Sequence, residues 1–132
     1  MGRKELRERI FTLLFRIEFN EAEEMPEQVQ LYFEENDQVA EQDRAYIQKK
    51  YEAVSEKIPE IDAILNEHTT GWKTSRMNKV DLTILRLAVY EMKWDDDVPI
   101  SVAINEAVEL AKKFSGEEGP SFVNGVLAKL AK

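Results

Sequence analysis

The chain contains no cysteine and a single histidine, His68. Without thiols there is no disulfide scaffold, no thiolate zinc site, no iron–sulfur cluster and no cysteine nucleophile. One histidine also makes Ser-His-Asp catalysis a poor fit, because His68 lies in a polar break with no serine elbow beside it. Glycine and proline are scarce, at 5 and 4 of 132 residues, which argues against a loop-rich or collagen-like chain. No stretch approaches the ~20 apolar residues of a membrane span. Met1 to Phe19 carries charge in every turn, where a secretory signal would show an unbroken apolar block. These absences predict a cytoplasmic protein without a membrane segment.

What is present is 43% hydrophobic and 33% charged. A chain of this length can bury roughly two thirds of the surface its unfolded form exposes, enough for a core without metal or disulfide. The expectation is one domain over residues 1–132. The formal charge of −8 is unevenly placed: residues 1–16 carry +3, residues 17–70 carry −11, and residues 71–132 balance. A local basic segment on an acidic body can still hold an anion, because charges act over a Debye length of about 8 Å. The acidic middle would disfavour indiscriminate binding of nucleic acid.

Apolar residues recur at helical spacing throughout. Leu6, Ile10, Leu13, Leu14 and Ile17 predict a first helix over about Arg3 to Phe19. Beside that stripe run Lys4, Arg7, Phe11 and Phe15, basic groups next to rings, a combination suited to phosphates and bases. After Asn20 to Met25, Pro26 is placed to open a helix with Val29, Tyr32 and Phe33 on its apolar face. A longer pattern over about Asp43 to Glu67 should be kinked or divided by Pro59. His68 to Ser75, with Gly71 and Trp72, reads as a break holding one helical turn.

From Val80 to Trp94 the sequence is apolar nearly all round, which predicts a central helix. Its one polar strip, Thr83, Arg86, Tyr90 and Lys93, should look outward or toward a partner. A helix over about Ser101 to Phe114 buries Ala103, Ala107 and Ala111, and three alanines imply a close approach to the central helix. Ser115-Gly116 ends it, and Ser121 is a candidate cap for a last helix carrying Phe122, Val123, Val126, Leu127 and Leu130. No strand pattern appears. The reading is all-α: a single compact bundle of about seven helices.

No coherent active site is legible in the sequence. Gly116 and Gly119 straddle two glutamates, which would repel a phosphate. Asp95, Asp96 and Asp97 lack the alternating ligands of a calcium loop and suit the start of a helix. Glu106 and Glu109 could form half of a di-metal site, but with Lys112 and Lys113 beside them they read as an exposed ion-paired face. No catalytic residue, metal or cofactor is expected. A binding role remains.

The run Val98-Pro99-Ile100-Ser101-Val102-Ala103-Ile104-Asn105-Glu106-Ala107-Val108-Glu109-Leu110-Ala111-Lys112-Lys113-Phe114, followed by Phe122-Val123-Asn124-Gly125-Val126-Leu127, resembles the signature of the NusB family of bacterial transcription antitermination factors. Leu85 to Glu91 resembles the central helix of that family, and Arg7-Glu8 with Leu14-Phe15 its first helix. The resemblance implies an all-helical, non-enzymatic domain that binds single-stranded boxA RNA of ribosomal RNA leaders. It also implies two partners, the small-subunit ribosomal protein NusE and the antitermination complex on RNA polymerase. On matching positions, it implies RNA contacts at Arg3, Lys4, Arg7, Glu117, Glu118, Ser121, Phe122 and Asn124. It implies NusE contacts at Phe15, Asp81, Arg86 and Tyr90. Two departures are visible: Glu5 interrupts the basic first turn, and Phe15 stands where the family commonly has tyrosine. A helical protein-interaction adaptor without RNA contact is the alternative, favoured by the −8 charge and the thin basic cluster.

Overall fold

The computed structural model describes residues 1–69 and 73–132. Seven α-helices and three short 3-10 turns account for the secondary structure of the described residues, and none of those residues is in a strand. The chain forms two compact units, Met1–Ser55 and Glu56–Lys132. Gly71 and Trp72, from the expected break, lie outside the described residues.

In the first unit α1 spans Arg3–Phe15 and buries Ile10, Phe11, Leu13 and Leu14. The sequence predicts this helix to continue to Phe19, but the chain tightens into a 3-10 turn over Arg16–Phe19. Asn20 closes that turn by donating from its side chain to the Arg16 carbonyl at 2.9 Å, which satisfies a group the helix end would otherwise leave bare. Glu21 and Glu24 form a reciprocal capping box before α2, Met25–Glu35, and Pro26 sits in its first turn where no amide donor is needed.

Polar contacts along one side of α1 fix it to α2. Arg9 Nη1 donates to Asn36 Oδ1 at 2.6 Å, Thr12 Oγ1 and the Tyr32 hydroxyl are 3.2 Å apart, and Arg16 pairs with Glu35 at 3.1 Å. The Arg16 guanidinium also lies 5.2 Å from the centre of the Tyr32 ring. Helix α3, Glu41–Glu56, presents Arg44 over Phe33 at 4.8 Å. Burial pushes the Tyr51 phenol above its ordinary pKa.

In the second unit α4, Ile58–His68, begins beside Pro59, so the long pattern is divided there, as a proline in the first turn requires. Thr74–Arg76 makes a single 3-10 turn. Helix α5, Lys79–Trp94, starts at Asn78, whose side-chain oxygen accepts from the amides of Val80 and Asp81 at 2.8 and 3.2 Å. Leu82, Ile84, Leu85, Leu87, Ala88 and Val89 of α5 are all buried. Helices α6, Ile100–Phe114, and α7, Gly119–Leu130, both pack on α5 and on each other, and α4 contributes a further side. Ala103, Ala107 and Ala111 form a buried stripe along α6, four residues apart.

Two expectations are corrected here. Ser121 does not cap α7, because the helix already starts at Gly119 with Pro120 in its first turn, leaving Ser121 exposed within that turn. Nor does Thr83 look outward: it is 2% exposed, and its hydroxyl returns to the Lys79 carbonyl at 2.8 Å. Backbone bonding of this kind lets a threonine pass as an apolar residue.

Glycines in α7 separate two physical effects. A Cβ at Gly119 would collide with the Ser115 side chain, whereas one at Gly125 would meet nothing within 4 Å. Gly125→Ala should therefore raise stability by about 0.5–1 kcal/mol through helix propensity. Gly119→Ala should lower it by about 1–3 kcal/mol, because the overlap outweighs that gain. Ala107→Leu should also cost about 1–3 kcal/mol by forcing the alanine stripe off its neighbour. Urea midpoints at constant slope check all three, and opposite signs for the two glycines are the decisive observation.

Candidate nucleic-acid and protein interface

Each unit carries residues from both sets implied by the sequence. In the first unit, Arg3 and Lys4 are exposed at the start of α1 and Arg7 is half-buried one turn on. Four and eight residues further along that helix the aromatic pair divides. Phe11 is core at 3% exposure, so the basic-aromatic strip read from the sequence loses it. Phe15 is half-buried and forms the middle rung of a ladder, its ring 5.9 Å from Phe11 and 5.0 Å edge-on to Phe19. Phe19, which the sequence reading placed only at a helix end, is 61% exposed.

In the second unit, Glu117 and Glu118 are exposed between α6 and α7, and Ser121 and Asn124 are exposed on α7. Phe122 is half-buried, while Val123 and Leu127 of the same helix are wholly buried. The core therefore takes the Val123 side of the helix, with Phe122 at its margin. The loop is a tight one: the Gly119 amide donates to the Gly116 carbonyl at 3.0 Å.

The α5 strip is more engaged than its sequence spacing suggests. Arg86 donates from Nε and Nη2 to the two carboxylate oxygens of Asp62 at 3.0 and 2.8 Å, a fork-to-fork pair between α5 and α4. Tyr90 is half-buried with its ring 6.0 Å from Trp94, and Lys57 lies over the Trp94 ring at 5.2 Å. Asp81 is 8% exposed and accepts a hydrogen bond from Ser115 at 2.6 Å. The pairing of Asp62 with Arg86 and of Ser115 with Asp81 carries no signal in the sequence. The partners stand 24 and 34 residues apart, so no periodicity or local spacing could pair them.

No three His, Asp or Glu side chains among the described residues converge on a metal-sized site. His68 is exposed, and its Nδ1 lies 3.0 Å from the Ile64 carbonyl one turn back. Asp95 folds the α5–α6 connection by accepting from the Asp97 amide at 3.0 Å, so the three aspartates build a turn. No described helix is long and apolar enough to cross a membrane.

The described residues define an all-helical protein with basic, aromatic and carboxylate groups at its surface. Comparison with known proteins gives the family. The NusB family pattern matches residues 4–132. The transcription antitermination protein NusB of Agathobacter rectalis is 52% identical over 131 residues, covering 99% of this chain and all of the relative. That of Lachnoclostridium phytofermentans is 49% identical over 130 residues, covering 98% of each. Among solved structures, T. maritima NusB is similar with a TM-score of 0.88 and 30% identity, over 99% of this chain and 91% of that one. A structure of antitermination factors NusB and NusE in complex with dsRNA is similar with a TM-score of 0.83 and 28% identity, over 98% and 97%. The chain belongs to the NusB family.

The Arg86–Asp62 pair has a measurable weight. Its side chains are 12% and 23% exposed, so solvent screens them only partly. Asp62→Ala should lower stability by about 1–3 kcal/mol, because it leaves a guanidinium largely out of water without its anion. A denaturation midpoint equal to that of the unmodified protein would rank the pair with surface ion pairs of little consequence.

Proposed function

We propose that this protein is a transcription antitermination factor that acts in the cytoplasm, binding single-stranded boxA RNA of ribosomal RNA leaders together with the ribosomal protein NusE, within the antitermination complex on RNA polymerase. The observation that carries this reading is the full-length family match, which includes the Val98–Phe114 run and the Phe122–Leu127 run. The role is one of binding, without catalysis, in a single functional domain over residues 1–132.

RNA contacts are assigned to Arg3, Lys4 and Arg7 on the first unit and to Glu117, Glu118, Ser121, Phe122 and Asn124 on the second. The basic residues neutralise phosphates, and the half-buried Phe122 is the ring assigned to stack on an unpaired base. Glutamates in such a site repel phosphate and so would be aimed at base amino groups. NusE contacts are assigned to Phe15 on the first unit and to Arg86 and Tyr90 on α5, with Asp81 at the head of the same helix. Because Asp62 already balances the Arg86 charge, that part of α5 would offer planar groups more than net charge.

About three basic contacts on single-stranded RNA give a salt slope near −2, since each neutralised phosphate contributes roughly −0.7. Titration of a single-stranded boxA oligonucleotide across salt concentrations, with and without NusE, tests the reading. Affinity should rise when NusE is added; RNA binding absent under both conditions would leave the protein-only adaptor in its place. Arg7→Glu should weaken RNA binding and flatten the slope while sparing NusE. Tyr90→Ala should weaken NusE binding by about thirtyfold, the effect of losing ~2 kcal/mol from an interface aromatic, while binary RNA binding persists.

A further inference from the structure

Both ends of the Glu117–Glu118 loop rest on one carboxylate. Asp81, in the first turn of α5, accepts from the Ser115 hydroxyl through Oδ1 at 2.6 Å. Ser115 is the residue that closes α6, its own amide bonded to Ala111 at 2.9 Å. Gly119, the first residue of α7, is buried where a Cβ would strike the Ser115 side chain and come within 3.2 Å of Asp81 Oδ1. Between these anchors only Gly116, Glu117 and Glu118 remain, and all three are exposed.

We propose that Asp81 and Ser115 are positioning residues for the Glu117–Glu118 loop, a clasp that holds the two glutamates in a fixed register at the head of α7. The proposal rests on the RNA reading given above. Its physical basis is that a carboxylate beside RNA is repelled by every phosphate, and is useful only when held toward a base N–H donor. A freely moving loop would average that aim away. The clasp prevents it with a charge-assisted hydrogen bond, stronger than a neutral one and shielded from water by the burial of Asp81. The close seat of Gly119 against the same two side chains removes the slack that any larger residue would require. Asp81 therefore acts through the loop, with its carboxylate turned to a hydroxyl of its own unit.

Hydrogen–deuterium exchange on the full chain, paired with boxA oligonucleotide titrations with and without NusE, tests this on the unmodified protein, Ser115→Ala and Asp81→Asn. Ser115→Ala should speed exchange at the amides of Glu117 to Ser121 about tenfold, the effect expected on local opening when a hydrogen bond to a charged group is lost. RNA affinity should fall about threefold or more with an unchanged salt slope, because no phosphate contact is removed, and NusE affinity should hold. Asp81→Asn keeps an oxygen able to accept from Ser115, so it should speed loop exchange and weaken RNA binding to a lesser degree. Unchanged loop exchange in Ser115→Ala overturns the clasp. Faster exchange across the whole second unit, or faster loop exchange with full RNA affinity, overturns the positioning role. Unchanged loop exchange and full RNA affinity in Asp81→Asn, with NusE binding lost, would leave Asp81 a partner contact only and also overturn it. If the unmodified protein binds no RNA in either condition, the RNA reading fails instead, and the exchange arm alone decides whether the clasp exists.

Discussion

The second unit depends on burying α5 on nearly every side. A helix with so little polar surface cannot rest against a single neighbour, because each face left in water would cost about 25 cal/mol per Å² of apolar area. Helices α4, α6 and α7 all pack on it. The alanine stripe of α6 follows from the same demand: small side chains let a second helix backbone come close without opening a gap. Once α5 is enclosed, its few polar residues must find partners inside the unit or at its margin. Thr83 bonds its own backbone, Asp81 takes the Ser115 hydroxyl, and Arg86 takes Asp62.

The first unit is held in a different manner. Its core is built on Ile10, Leu13, Leu14, Phe33 and Ile47, but the register of α1 against α2 is set by Arg9, Thr12 and Arg16 reaching across to Asn36, Tyr32 and Glu35. Three polar links at spacings of three and four residues leave little freedom for α1 to slide. This matters for the proposed site, because α1 carries the basic first turn and Phe15, and leads directly into the 3-10 turn that carries Phe19. The acidic residues around α2 and α3 outnumber the basic ones there, so net positive charge in this unit falls at the start of the chain.

Residues assigned to RNA and to NusE are set on rigid helices or anchored directly to them. Preorganised elements bind at lower entropic cost than mobile ones. On the proposed assignment, a chain with a net charge of −8 would engage RNA with a few well-placed cations, using carboxylates and a ring for discrimination instead of a broad basic surface.

The amino-acid pattern alone determined the helical class, the approximate positions of the helices, the division at Pro59 and the burial of Ala103, Ala107 and Ala111. These are consequences of local periodicity and backbone chemistry, which sequence spacing encodes directly. The separation of α3 from α4 into two helices was visible as a break in the same pattern. The tightening of Arg16–Phe19, the inward turn of Thr83 and the start of α7 at Gly119 were decided by contacts and caps that spacing does not encode. Tertiary structure alone paired Arg86 with Asp62 and Asp81 with Ser115, and sent Phe11 inward while leaving Phe19 exposed. The physical reason is common to all of them. A helical period says which residues share a face, but which of them meet a partner depends on groups tens of residues away, brought near only when apolar burial closes the core.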